Sequence, residues 1–277
     1  ASTWKLAAAG IALDLGVVGP HEEMPIPCTG GMKYGGGYRA CWYPEGHGFL
    51  DLAGAIAHSC NVYFYQLGLR IGLDRMLEAG TRIGFSEQCG IDLPQESRGI
   101  FPGTRDFWDR RFGYQPMEGE VLNLAIGQGP NSQTPLKMAQ FYLALARDGS
   151  APAPHLIQNS DPENEWGLNL SGESLEQLRV GLRAVTEPGG TAHYWASLEH
   201  WEVLGKSGSG QNAQDAERTH AWFAGMAGPW GGKPEIVVVA LVEFGGGGST
   251  VAAPIVAKTA DFYLRRKYGI PIDTIQT

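Results

Sequence analysis

Charge is scarce in this chain, and basic charge scarcer than acidic. Charged residues make up 18% of the 277, with 21 Lys and Arg against 29 Asp and Glu and a formal net charge of −8. No cationic stripe is present to meet phosphates, which argues against nucleic-acid binding. Long hydrophobic runs are missing too. The longest, Ile236–Val242, has the length of a strand, well short of the roughly 18 uninterrupted apolar residues of a membrane span. The chain opens on no signal-peptide pattern and contains no internal repeat. Cysteine is limited to four residues. What remains is an ordinary globular composition, 43% hydrophobic, with ample material for a core in one large domain or two small ones.

Three short motifs stand out against this background. Ser2-Thr3-Trp4-Lys5 comes first, Ser59-Cys60-Asn61 follows 57 residues later, and Lys206-Ser207-Gly208 lies 147 residues beyond that. Each alone has a plain reading: a helix cap with a solvated lysine, a helix-terminus pair, and a strand running into a turn. In this order they make up a known acyl-serine signature. A serine hydroxyl is a weak nucleophile without a base beside it. Residues three apart on a helix share a face, so Lys5 can place its amine against Ser2. Lysine acts as a base only when neutral, so the site must depress its pKa by burial or by a second cation, for which Lys206 is the candidate. Ser59 would relay a proton to a leaving nitrogen, and the Asn61 amide would hold a substrate carbonyl or amide. Lys206, Ser207 and Ser209 would meet a substrate carboxylate, with Gly208 leaving room for an extended peptide along a strand edge. The backbone N–H groups of Ser2 and Ser209 are the expected oxyanion donors.

The texture of the chain places these motifs on elements. Residues 4–18 read as a buried helix with Ser2 at its start. Residues 19–48, with 8 glycines, read as an irregular loop without a core of its own. Residues 50–84 suggest two helices flanking Ser59-Cys60-Asn61 and a third ending near Gly80. Residues 85–133 read as mostly loop. Thr134 is the expected cap of a helix with Pro135 at its first position and Gly149 beyond its end. Another helix is expected over 171–186, with Ser171 and Ser174 as competing caps. Three strands follow, around residues 200–211, 220–228 and 234–244, with turns at Gln211–Asp215 and Gly228–Gly232. Ser249 or Thr250 then caps a closing helix. The sum is an α+β architecture, an antiparallel sheet covered by the N- and C-terminal helices beside a mostly helical lobe, read as a single domain over 1–277.

With those residues in place, the chain resembles the transpeptidase domain of class B penicillin-binding proteins, especially the elongation-type penicillin-binding protein 2 group. Matching stretches beyond the trio are GHGFLDLAGAIAHSCNVYFYQLG, GIDLPQESRG, LNLAIGQGPNSQTPLKMAQ and HAWFAGMAG. The resemblance implies a penicillin-binding fold and a peptidoglycan D,D-transpeptidase that cross-links stem peptides through an acyl-enzyme on Ser2, with release of terminal D-alanine. It implies Lys5 as base, Ser59 and Asn61 as second motif, and Lys206, Ser207 and Gly208 as third. It also implies covalent inhibition by β-lactams and no organic cofactor. Partnership with membrane-bound cell-wall elongation proteins would run through an N-terminal part, with this domain in the periplasm of a bacterium. A nucleophile at the second residue lacks preceding chain to hold it, so a longer natural protein with a membrane anchor and pedestal is expected. Two departures are Asn61, where many members carry Asp, and Ser209, where the third motif usually ends in Thr. The alternatives are a serine β-lactamase, for which Glu118 or Glu120 would have to activate water, and a β-lactam sensor domain.

Cys28, Cys41, His47 and Cys60 form the pattern C-x12-C-x5-H-x12-C. Three cysteines and a histidine make a full tetrahedral set for structural zinc, though the spacing is not that of a zinc finger. Some members of the resembled group carry metal ligands at these positions. The alternatives are a Cys28–Cys41 disulfide, natural in an oxidising compartment, or free thiols, with Cys89 outside the site in each case. Gly245–Gly248 before Ser249-Thr250 lacks the lysine of a phosphate-binding loop and reads as a tight connection bordering the cleft. His220 reads as a packing residue, and Trp222 and Phe223 as facing opposite layers of the sheet.

Overall fold

The computed structural model describes residues 1–157, 165–211 and 218–272. Its centre is a three-stranded antiparallel sheet of β5 (Trp201–Gly210), β6 (His220–Pro229) and β7 (Ile236–Val242), ordered β5-β6-β7. All three strands lie where the alternation and turn residues put them, and Gly232 N–H closes the second turn onto Pro229 O. Most of the first predicted turn falls outside the described residues. The two faces of the sheet are easily told apart. A Cβ on Gly225 would meet Val256 of α10 (Ala253–Tyr268), whereas one on Gly208 would meet the backbone of Ser2 and Thr3. Lys206 sits two residues before Gly208 and so shares the face turned towards the chain start. Phe223, fully buried, and Trp222 occupy opposite faces as expected.

Ser2–Trp4 form a single 3₁₀ turn that continues into α1 (Lys5–Asp14). The helix is shorter than the 4–18 expected, because Gly16 takes a left-handed φ of +64° and the chain turns away. Helix α1 is buried along nearly its whole length. The glycine-rich segment is the larger correction. Instead of an irregular loop it forms a hairpin, β1 (Gly31–Tyr34) and β2 (Gly37–Ala40), closed at its base by a Cys28–Gly48 bridge. Its backbone partners come from α3 (Asn61–Ile71). The Gln66 amide bonds both N–H and C=O of Ile26, at 2.9 Å each, and the Tyr63 hydroxyl donates to Glu22 O at 3.0 Å. Met24 and Met32 are buried beneath.

Helices α2 (Leu52–Ala57), α3 and α4 (Leu73–Arg82) match the expected three. The Asp51 side chain caps α2 through Gly54 N–H at 2.8 Å. Between 85 and 133, two short helices replace part of the expected loop, α5 (Asp106–Phe112) and α6 (Glu120–Ala125). Both are too short for a periodic signal. Helix α7 (Pro135–Ala146) carries the predicted Thr134 cap, whose hydroxyl accepts Lys137 N–H at 3.1 Å. Beyond β3 (Ser150–Pro152) and β4 (Glu165–Gly167), Ser171 rather than Ser174 caps α8 (Gly172–Ala184), and α9 (His193–Ala196) follows. The closing helix departs from expectation. Gly248–Ala252 form a π turn before α10, and the Thr250 hydroxyl donates back to Gly247 O instead of capping. No helix among the described residues is long and apolar enough to cross a membrane.

Helix α3 leans on α6 through Gly68, where a Cβ would stand 2.8 Å from Ala125 Cβ and 3.0 Å from Val121 O. Gly68→Ala should therefore force the helices apart and destabilise the protein by about 1–3 kcal/mol. Urea unfolding checks this; an unchanged midpoint would mean that the contact yields without strain.

Candidate active site

The start of the chain is held from several sides. Trp4 is buried against Phe85 and Phe101, with ring centroids 4.3 and 5.4 Å away. From α7, the buried Tyr142 hydroxyl donates to Thr3 O at 3.1 Å. Gly127, at φ +74°, packs so closely that a Cβ there would lie 2.2 Å from Ala1 O and 2.7 Å from Trp4 Cβ. On the sheet side, a Cβ at Gly208 would come within 3.0 Å of Ser2 N and 3.1 Å of Thr3 N. Only a residue without a side chain lets β5 touch the turn that bears Ser2.

Lys5, one residue into α1, is fully buried. Its Nζ donates to the Ser59 carbonyl at 2.8 Å, to Ser59 Oγ at 3.1 Å and to Asn61 Oδ1 at 2.7 Å. It also stands 5.4 Å from the Phe64 ring centroid. Among the described residues it has no ion pair, and the Ser2 hydroxyl has no hydrogen-bond partner. The lysine thus joins the first motif to the second, and its three hydrogen bonds go to Ser59 and Asn61 and not to Ser2. Loss of one proton would surrender one of these contacts and free a lone pair. Burial drives the Lys5 pKa down to about 8 from its ordinary 10.5, and the negative charge of the Cys41–Cys60 pair pushes partly back. Lys206 is also fully buried and donates to Ser207 O at 3.1 Å. Burial and the neighbouring Lys5 charge both hold its pKa well below the usual lysine range.

Ser59 lies between α2 and α3 with φ +53°, a left-handed conformation rare outside glycine. Ser207 and Ser209 point to the side of β5 opposite Lys206. Ser207 Oγ is 3.4 Å from Thr191 Oγ1, and Ser209 Oγ accepts Gly248 N–H at 3.4 Å. All three motifs open onto one cleft of about 370 Å³. Ser2, Ser59, Asn61, Ser207, Gly208 and Ser209 line it, joined by Trp42, Gln128, Thr191 and Gly247–Thr250. The Gly245–Gly248 connection therefore borders the cleft as expected. Trp42 and Thr191 carry no motif signal, and only the folded chain reveals them. His220 is a packing residue, with Nδ1 accepting Phe244 N–H at 3.0 Å. Glu118 and Glu120 do not line the cleft. Glu118 pairs with Arg105, and Glu120 accepts from the Tyr114 hydroxyl.

Cys28, Cys41, His47 and Cys60 converge beside the second motif, with their ligand atoms all within 4.8 Å of one another. His47 Nδ1 lies 3.5 Å from Cys28 Sγ and 3.6 Å from Cys41 Sγ. A tetrahedral zinc with bonds of about 2.1 and 2.3 Å would set such edges at roughly 3.6 Å. The donor set and its spacing fit that ion. All four cysteines of the chain are free, and Cys89 is buried elsewhere. The hydrogen bond with Cys60, together with the N–H groups of Tyr43 and Asn61, lowers the Cys41 pKa, while that of Cys60 is raised.

Comparison with known proteins agrees with this geometry. The family described as penicillin binding protein transpeptidase domain matches residues 1–261. The peptidoglycan D,D-transpeptidase MrdA of Haemophilus influenzae is 30% identical over 261 residues, covering 83% of this chain and 40% of that protein. MrdA of Escherichia coli is 28% identical, over 91% of this chain and 43% of its own length. The chain thus spans about two fifths of these relatives. Among solved structures, Pseudomonas aeruginosa PBP2 in complex with WCK 5153 superposes with a TM-score of 0.85 at 30% identity, covering 100% of this chain and 61% of that one. Helicobacter pylori PBP2 in complex with MreC gives 0.82 at 29% identity, over 95% and 49%.

Proposed function

The chain belongs to the penicillin-binding protein transpeptidase family, and from that membership we propose that it is the catalytic domain of a peptidoglycan D,D-transpeptidase. The observation that carries this reading is the convergence of Ser2, Ser59, Asn61 and Ser207–Ser209 on one cleft, with two buried lysines behind them. Neutral Lys5 takes the proton of Ser2 as its oxygen attacks the carbonyl of the penultimate D-alanine. The N–H groups of Ser2 and Ser209 receive the developing negative charge. The tetrahedral species collapses, the peptide C–N bond breaks, and Ser59 gives its proton to the departing D-alanine nitrogen while taking the one held by Lys5. An acceptor amine then attacks the acyl-enzyme, loses a proton to the same relay and forms the new amide, and Ser2 leaves with that proton restored to its oxygen. Ser207 and Ser209 hold the donor carboxylate on the cleft side of β5, with Lys206 buried on its other face, while the outer edge of β5 lets the donor peptide lie as an added strand. A β-lactam acylates the same serine, but its opened ring keeps the leaving nitrogen tethered. The positions of Glu118 and Glu120 away from the cleft tell against a β-lactamase that would use either one on water. The domain is one unit of a longer protein, anchored at the bacterial inner membrane with this part in the periplasm. Given the solved complex of the Helicobacter pylori relative with MreC, it binds a cell-wall elongation partner.

Cys28, Cys41, His47 and Cys60 hold a structural zinc in this reading. The ion supplies cross-linking and charge neutralisation with no open position for chemistry. Held there, Cys28, Cys41 and His47 would tie the β1–β2 hairpin to Cys60 at the start of α3 and so keep Ser59 and Asn61 in register.

Intact-mass spectrometry after exposure to benzylpenicillin tests the function. One adduct per chain is expected, and none in Ser2→Ala; an adduct on the mutant would overturn the nucleophile. The rate of acylation should rise about tenfold per pH unit below 8 and level off above it, because only neutral Lys5 accepts the proton. Lys5→Arg, which cannot titrate, should lower that rate by about 10²–10⁴, and a near-wild-type rate would make Lys5 a structural cation only. Protein purified without chelator should contain one zinc per chain. Less than about a tenth of an equivalent, with two fewer titratable thiols than four cysteines supply, would replace the metal with a disulfide.

A further inference from the structure

Ser59 is the most strained residue of the cleft, a serine at φ +53° whose hydroxyl must stay within reach of Lys5. A left-handed conformation persists at a non-glycine residue only where its surroundings over-determine it. Helix α2 ends just before it, and α3 begins two residues after it without a side-chain cap. The restraint comes instead from three consecutive residues of the hairpin. Ala40 O accepts Asn61 Nδ2 at 3.4 Å, Cys41 Sγ accepts Asn61 N–H at 3.4 Å, and Trp42 Nε1 donates to the carbonyls of His58 and Ser59 at 3.0 and 3.1 Å. The Ser59 carbonyl thereby receives two donors, Lys5 Nζ from the core and the indole N–H from the cleft side. Both lone pairs are occupied, which clamps the Ser59–Cys60 peptide plane and with it the Ser59 ψ, while the indole's other contact, to His58 O, holds the preceding plane, which sets φ.

Trp42 is an unusual residue to find in this place. It is 55% exposed, yet its indole N–H is spent on two backbone carbonyls of the turn that carries Ser59. Its ring stands 5.6 Å from that of His47 and also forms one wall of the cleft, opposite β5. We infer that Trp42 is a positioning residue, whose indole N–H holds the Ser59 carbonyl and so keeps the Ser59 hydroxyl aligned between Lys5 and the departing nitrogen. The ring is a second and separable part, a wall for whatever acyl donor enters. The inference rests on the acyl-serine reading of the cleft and adds to it a residue outside the three motifs. The two functions of the side chain can be split chemically, because phenylalanine keeps a ring without a donor, and benzothienylalanine keeps the whole bicyclic shape with sulfur in place of N–H.

The experiment is stopped-flow acylation of the whole chain by a chromogenic cephalosporin. It separates the dissociation constant of the initial complex from the limiting acylation rate. Trp42→Phe and the benzothienylalanine protein should each lose about threefold to tenfold in the limiting rate, the value of one hydrogen bond, with the dissociation constant within about twofold of wild type. Trp42→Ala should lose the same factor in rate and also bind more weakly, since the wall is gone. A limiting rate unchanged in the benzothienylalanine protein would overturn the inference, whatever the phenylalanine variant does, because that isostere preserves packing. A loss confined to the dissociation constant in all three variants would also overturn it and leave Trp42 as a wall only. Failure of the wild-type chain to acylate would instead refute the acyl-serine reading, and the two failures cannot be confused.

Discussion

Lys5 carries a positive charge into the core, where three oxygens and no carboxylate receive it. That one interaction joins the first motif to the second across 54 residues of sequence. It also explains why the lysine can change role. Burial displaces its pKa from 10.5 to about 8, which is roughly 3 kcal/mol against the charged form. The penalty is fully present below pH 8 and fades as pH rises towards the unfolded value, so this group favours the folded state least where it is charged. The surrounding structure must offset that cost, and it does so with a dense apolar shell. Trp4, Phe64, Phe85 and Tyr142 are all buried close by.

Lys206 belongs to the same constraint. It is buried behind Gly208 on the β5 face that meets the Ser2 turn, where burial and the neighbouring Lys5 charge lower its proton affinity. The close approach depends on two residues with no side chain to intrude. Gly208 lets the strand touch the backbone of Ser2 and Thr3, and Gly127 lets its loop pack on Ala1 and Trp4. A sheet, a helix start and a loop thereby meet at a point. The cleft exists because nothing larger than hydrogen fills that point.

The second motif is controlled from another direction. Its helix start is held by a hairpin that has little apolar surface of its own, and that hairpin is held in turn by α3 through Gln66 and Tyr63. Hairpin and helix therefore support each other around the Cys28, Cys41, His47 and Cys60 cluster. Three thiols and an imidazole thus lie within 4.8 Å of one another where the two elements meet. The backbone strain at Ser59 can then be maintained without any single bond carrying it.

Much of this was legible beforehand, and for physical reasons. Helix α7 announces itself through Thr134, Pro135 and Gly149, since capping and a fixed φ are local properties. Strands β5–β7 show in their alternation and turns, and the three motifs keep their order whatever the fold does between them. The convergence of Cys28, Cys41, His47 and Cys60 was readable from residue type, because few other ends serve so many ligands in so short a span. Misread were the elements whose stability is not their own: the β1–β2 hairpin taken for loop, the brief α5 and α6, and the π turn at Gly248–Ala252 in place of a capped helix. Their backbone groups are satisfied by distant residues, so no local pattern records them. The same holds at the site. Residue types and order alone picked out the side chains of the three motifs that the fold brings together around one cleft. Only the tertiary structure decided that Lys5 points its protons at Ser59 and Asn61, that Thr191 faces Ser207, and that Trp42 stands over the Ser59 carbonyl. Those contacts join segments far apart in the chain, and their geometry is set by packing rather than by any neighbour in sequence.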